Sequence, residues 1–213
     1  MKTIIFMSLV LTFQFASAQK PAVREVKRLT VEQSREKVKN SVEYIEKLRS
    51  EGKSILTSPE VRKIVVKAIE STISNVTVLS AEQMNGLLKL VDVSPSKVLP
   101  EIARLSSISL DKSSSAVEKS QAKKSIELIS LSSHLVESLH KNEAAKKAAE
   151  TKTAQILEVS DKVASIASGE LASKSADFVK KYEKALKEGK SLEEAVSEAS
   201  GKKFTLQDLL NCK

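Results

Sequence analysis

Aromatic residues are scarce in this chain of 213 amino acids, which has no tryptophan and only 3% aromatic residues. Proteins that bind single-stranded nucleic acid stack the bases on aromatic side chains, so we expect no specific nucleic-acid partner. The 35 basic residues exceed the 27 acidic residues and give a net charge of +8. Because charges of both signs alternate along the chain, this excess favours a solvated, lysine-rich exterior over a dedicated polyanion site.

Long hydrophobic runs are absent beyond the first residues of the chain. The chain begins with Lys2, an apolar stretch from Ile4 to Phe15, and the small residues Ala16-Ser17-Ala18. A charged start, an apolar middle and small residues before the cut are typical of a secretory signal peptide. The apolar stretch is shorter than the roughly 20 residues that span a bilayer. We therefore predict a cleaved signal peptide at residues 1–18, no transmembrane segment, and a secreted, extracellular helical domain at residues 19–213.

Glycine and proline are few, with 5 and 4 residues respectively, and the region from Glu101 to Ser168 contains neither. Apolar residues in this region recur at three- and four-residue spacing, as at Ile126 and Ile129, which predicts helix. Clustered serines lower the helix propensity between residues 106 and 116, so we expect a flexible connection there. The two prolines Pro95 and Pro100 predict a short connection before this region.

Helix-capping patterns divide the rest of the mature chain. A hydroxyl residue followed three positions later by glutamine or glutamate predicts a capping box, and a glycine after an apolar face predicts a helix end. The predicted capping boxes are Thr30 with Gln33, Ser80 with Gln83, and Ser191 with Glu194. A further helix start is predicted at Ser58-Pro59-Glu60, which has a capping hydroxyl and a proline suited to the first turn. The glycines predicted to end helices are Gly52, Gly169, Gly189 and Gly201. No segment shows the alternation of a strand. We therefore predict an all-α protein, an irregular bundle of about six to eight amphipathic helices.

Catalytic and metal-binding patterns are missing as well. The only histidines, His134 and His140, are six residues apart, whereas zinc ligands on one helix lie three or four residues apart. Gly52-Lys53-Ser54 and Gly189-Lys190-Ser191 resemble the end of a phosphate-binding loop, but lysine occupies the position where that loop needs another glycine. The sequence contains no pattern that combines a nucleophile, a general base and an oxyanion hole. We therefore expect a non-enzymatic protein with no cofactor and no metal site.

Cysteine occurs once, at Cys212, beside the C-terminal Lys213. An oxidising compartment favours disulfides, but a single cysteine has no partner within its own chain. One hypothesis is an interchain disulfide at Cys212, which gives a disulfide-linked homodimer or a link to another secreted protein. The alternative is a buried thiol packed beside Leu209 and Leu210.

Asn75-Val76-Thr77 is the only Asn-x-Ser/Thr sequence in the chain, and it lies at the end of the predicted second helix. A turn before Ser80 would expose the asparagine. In a eukaryotic secretory pathway we therefore expect N-glycosylation at Asn75.

Two functional hypotheses fit these features. The first is a secreted, non-enzymatic helical interaction or structural protein that binds an extracellular protein. The second is an extracellular carrier of fatty acids or other lipids, in which wide aliphatic faces such as Ile126 to Leu139 separate around an acyl chain or lie on a lipid surface. No motif assigns the chain to a family, although its composition resembles that of insect lipid-carrying apolipophorins and of small helical antigens secreted by parasitic worms.

Overall fold

The computed structural model of the protein describes residues 31–136, 142–169 and 172–211, and these ranges are helical without any strand. They contain α1 (Val31–Ser50), α2 (Pro59–Ile73), α3 (Ala81–Val93), α4 (Pro95–Leu110), α5 (Ala116–Leu131), a 3-10 helix (Ser132–Leu135), α6 (Glu143–Gly169), α7 (Ala172–Lys187), α8 (Leu192–Ser200) and α9 (Leu206–Asn211). The predicted all-α class is confirmed. The expected number of helices was too low, because nine α-helices are present in the described ranges. The predicted signal peptide at 1–18 lies outside them.

The segment from Pro95 to Pro100, predicted as a connection, forms the first turns of α4 instead. Pro95 lies at the start of the helix, where a missing backbone N–H removes no helical hydrogen bond. Pro100 lies inside α4 and is exposed. The predicted connection between Pro95 and Pro100 was wrong, although α3 does end just before Pro95.

The predicted connection at residues 106–116 is narrower in the structure, because α4 continues to Leu110 and only residues 111–115 link it to α5. The serines inside α4 are satisfied within the fold. The hydroxyl of Ser106 donates to the carbonyl of Thr72 at 2.5 Å, and that of Ser107 donates to the carbonyl of Ala103 at 2.9 Å. The bond from Ser106 joins α4 to α2, and this tertiary contact offsets the low intrinsic propensity of the serines. The flexibility of the connection stays a prediction.

The predicted helix ends largely agree with the structure. Ser80 and Ser191 each accept a hydrogen bond from the backbone three residues later, and both capping boxes are complete. Gly52, Gly189 and Gly201 have positive φ angles of 75°, 82° and 69°, which only glycine adopts at low cost. Gly169 ends α6. One start differs from expectation, because Ser58 precedes α2 but makes no side-chain capping bond. The predicted capping residue Thr30 lies outside the described residues.

Helix α5 lies between two apolar clusters. Ile126 and Ile129 belong to the first cluster, which contains residues of α1 to α4 and α6. Leu128 and Leu131 belong to the second, which is built from α6 to α9. All four side chains are at most 2% exposed, and burying each contributes roughly 1.5–3 kcal/mol. The region without glycine or proline is therefore central to the fold, although it is divided among α4, α5 and α6.

Within the described ranges, no helix combines the length and the hydropathy needed to cross a lipid bilayer.

Candidate functional site

A groove of about 1050 Å³ opens between α1 and α4 and is the candidate site. Its lining is mostly aliphatic, and we call it the α1–α4 groove. The apolar residues along it are Val38, Val42, Pro100, Ala103, Ile108 and Leu110. Leu110 is 45% exposed, so an apolar surface of the groove meets solvent.

The spacing of apolar residues on α1 and α4 produces this groove. On α1, Val38 is buried and Val42 is partly buried on the side that packs against the first cluster. On α4, the small side chain of Ala103 leaves space between the helices. The Ser107 hydroxyl is already bonded to the carbonyl of Ala103 at 2.9 Å, so it presents a satisfied group to the groove. Apolar contacts therefore dominate what the groove can offer to a ligand.

Charged side chains surround the groove. Lys39 and Glu43 form an ion pair on α1 at 3.9 Å with side chains 77% and 65% exposed, so solvent screens it strongly. At the end of α4, the backbone N–H of Ser113 donates to Asp111 at 2.9 Å and holds the pKa of the Asp111 carboxyl below its ordinary value. Lys112 also lines the groove. The rim therefore carries both signs of charge around an apolar floor.

Arg104 is the most constrained of the charged residues at the groove. Its guanidinium donates to both oxygens of Glu101 at 2.7 and 2.8 Å, and it also contacts Asp161 of α6. The hydrogen bonds to Glu101 raise the pKa of Arg104 further above its ordinary value. Because the planar guanidinium is held by Glu101 of α4 and by Asp161 of α6, its position at the groove is fixed, and its charge is balanced by these two carboxylates.

The arrangement combines an apolar floor with a charged rim. Among residues 31–136, 142–169 and 172–211, no group of three or more histidine, cysteine, aspartate or glutamate residues could hold a metal ion. Lys39, Glu43 and Arg104 are held in ion pairs, and Asp111 accepts a turn hydrogen bond from Ser113.

The two Gly-Lys-Ser tripeptides that resemble a phosphate-binding loop follow the ends of helices in the structure. After Gly52, the Ser54 hydroxyl donates to the Asp92 carboxylate of α3 at 3.0 Å, and Ile55 N–H donates to it at 2.8 Å. After Gly189, Ser191 caps α8. The prediction that Gly52 and Gly189 end helices is confirmed.

Of the two histidines and the cysteine that the sequence singled out, the structure describes only His134, which does not line the α1–α4 groove. Helix α5 ends at Leu131, and His134 lies in the 3-10 helix that follows, where it is exposed. His140 and Cys212 lie outside the described residues. Close to Cys212 in sequence, Leu209 of α9 is fully buried.

Asn75 lies in an exposed turn after α2, as expected from the sequence. Thr77 of the same sequon is only 8% exposed, and its hydroxyl donates to Glu127 of α5 at 3.3 Å. The modification of Asn75 stays a prediction.

The α1–α4 groove itself was not predicted from the sequence. The signal that could have found it is the helical spacing of Ala103, Ser107 and Leu110, which lie on one side of α4. Clustered serines obscured that spacing. Even a correct α4 would not have identified α1 as its neighbour.

Comparison of the chain with protein-family models, with curated proteins and with solved structures found no match.

Proposed function

We propose that this chain is a secreted, non-enzymatic interaction protein that binds an apolar segment of an extracellular protein in the α1–α4 groove. In this proposal residues 1–18 are removed on secretion and the helices pack as an irregular bundle. The observation that carries the proposal is the aliphatic groove of about 1050 Å³ with charged residues along its edges. Such grooves bind amphipathic helices or extended peptides through apolar anchors, and the charged rim sets their orientation.

The packing of α5 supports a protein partner over an acyl chain held inside the fold. The aliphatic face from Ile126 onward, which a carrier would open, is buried on both sides of α5. Separating the helices there would expose Ile126, Leu128 and Ile129, each at most 1% exposed. Each exposure costs roughly 1.5–3 kcal/mol. Binding in a groove that is already open requires no such separation.

The alternative is an extracellular carrier of fatty acids or other lipids, and one observation favours it. The groove places the cations Lys39 and Lys112 beside an aliphatic floor. A fatty acid needs such a pairing, because its carboxylate requires a positive partner while its chain requires apolar contacts.

A matched pair of substitutions tests the proposal. Leu110 is 45% exposed in the groove, and Ile64 is 44% exposed on α2 outside it. We expect Leu110→Glu to abolish retention of a protein partner from the native extracellular fluid, because a carboxylate would be desolvated in the groove. Ile64→Glu should retain that partner, and circular dichroism should show both variants folded. Equal retention by the two variants would contradict the proposal.

Lipid-binding assays distinguish the lipid carrier from the protein that binds an extracellular partner. We expect no displacement of a fluorescent fatty acid and no flotation with liposomes. Fatty-acid uptake that Leu110→Glu abolishes and Ile64→Glu preserves would replace the protein partner with a lipid.

A further inference from the structure

An unusually exposed aliphatic residue follows the Asn75 sequon. Val78 is 90% exposed, and beside it a second groove of about 410 Å³ lies between α2 and α3. We call this the α2–α3 groove. Besides Val78, its apolar lining residues are Ile73, Leu79 and Met84. This patch is separate from the α1–α4 groove.

Asn75 stands at the edge of the α2–α3 groove. Its neighbours Ser74 and Thr77 both line the groove, and Asn75 itself is exposed. The turn is closed by hydrogen bonds from Val76 N–H and Thr77 N–H to the carbonyl of Ile73, at 2.8 and 3.0 Å. Any group attached to the Asn75 side chain therefore starts beside the apolar patch.

We propose that an N-linked oligosaccharide on Asn75 covers Val78 and the α2–α3 groove, and that it is attached before Thr77 packs against α5. The observations that identify this cover are the single sequon, its exposed asparagine and the adjoining aliphatic surface. A glycan is bulky and solubilising, and the nonpolar faces of its sugar rings can lie on aliphatic side chains.

The covalent step uses a lipid pyrophosphate-linked oligosaccharide as the donor. The amide nitrogen of Asn75 attacks the anomeric carbon, and a C–N bond forms there. The bond from that carbon to the pyrophosphate oxygen breaks, and the lipid pyrophosphate leaves with the electron pair. The amide nitrogen loses one proton to a base of the transferase.

The order of events follows from the burial of Thr77. The transferase must reach both Asn75 and the hydroxyl of the sequon, but in the fold that hydroxyl donates to Glu127, which lies 50 residues later. Glu127 is also held by Lys124 at 3.0 Å, so the acceptor is fixed on α5. At about 5–20 residues per second, synthesis of the intervening chain takes roughly 3–10 s. During that interval Thr77 has no α5 to pack against.

The first test concerns attachment. In a eukaryotic secreting cell, we expect an endoglycosidase-sensitive mobility shift for the wild type and for Thr77→Ser. Asn75→Gln and Thr77→Ala should lose the shift. Unglycosylated wild-type protein that is already folded should not be modified by membranes that contain the transferase and its donor. Absence of the shift in the secreted wild type, or efficient modification of the folded protein, would overturn the proposal.

The second test concerns coverage and uses an environment-sensitive apolar dye. We expect Asn75→Gln to bind more dye than the glycosylated wild type, and Val78→Ser to remove that difference. Val117→Ser is the matched control, because Val117 is 63% exposed on α5 and outside the α2–α3 groove. It should leave the difference intact. Equal dye binding by the wild type and Asn75→Gln would show that the glycan covers no apolar patch.

Discussion

At the scale of single residues, Gly86 and Asp92 determine how α3 meets its neighbours. A Cβ atom at Gly86 would lie 2.2 Å from the carbonyl oxygen of Ser130 and 2.6 Å from the hydroxyl of Ser133. Asp92 is 4% exposed and accepts hydrogen bonds from Ser54 and from the backbone of Ile55. The sequence predicts α3 but neither contact, because the partners lie far away in the chain. Close packing therefore requires glycine at position 86.

Replacing Gly86 by alanine should destabilise the protein. Alanine favours helix by about 1 kcal/mol over glycine, but the added methyl group would collide with backbone of α5. Overpacking typically costs about 1–3 kcal/mol, so we expect a net loss in the free energy of unfolding by urea denaturation. The control is Lys89→Ala on the exposed side of α3, which should change stability by less than about 0.5 kcal/mol. An unchanged urea midpoint for Gly86→Ala would show that α3 and α5 do not approach so closely.

At the scale of helices, the sequence predicted a helix start correctly where both residues of the capping box lie within one turn. Ser80 with Gln83 and Ser191 with Glu194 were predicted because both partners of a capping box lie three residues apart. Ser115 with Glu118 forms the same motif at the start of α5, but its serine belongs to a cluster that indicated a loop. The extent of α4 was missed for a related reason. The bond from Ser106 to the carbonyl of Thr72 links two helices, and propensity alone does not contain it.

The capping bonds predict that replacing Ser115 and replacing Ser58 by alanine lower the free energy of unfolding by different amounts. Ser115 accepts a hydrogen bond from Glu118 N–H at 3.2 Å, whereas Ser58 makes no side-chain capping bond. Ser115→Ala should therefore lower the free energy of unfolding by about 1 kcal/mol. Ser58→Ala should lower it less. Chemical denaturation of both variants measures the difference, and equal losses would contradict the capping geometry at α5.

At the scale of the whole molecule, the sequence indicated helices but not which of them become neighbours. The apolar spacing of α1 was clear, yet the α1–α4 groove depends on α4 packing beside it. The aliphatic spacing around Ile126 predicted a helix, but it did not show that this helix, α5, would be covered by two clusters. Pairing of distant helices depends on shape and on residues such as Ala103, which periodicity alone does not single out.

The hypothesis of an interchain disulfide also belongs to this scale. Non-reducing electrophoresis of freshly secreted, alkylated protein should show a species of about twice the monomer mass or a larger mixed species, and Cys212→Ser should abolish it. Circular dichroism should stay unchanged in Cys212→Ser, because α9 is anchored by the buried side chain of Leu209. Monomer alone would exclude the interchain disulfide, and loss of helix in the variant would instead support the buried thiol.

The most direct measurement for the α1–α4 groove places a photo-crosslinking amino acid at Leu110 and, in a matched protein, at Ile64. Both positions are similarly exposed, at 45% and 44%, but only Leu110 lines the groove. In native extracellular fluid, Leu110 should form an adduct with a protein segment whose apolar residues recur at helical or alternating spacing, and Ile64 should not. Equal adducts at both positions, or adducts at Leu110 with lipid alone, would contradict a protein-binding groove.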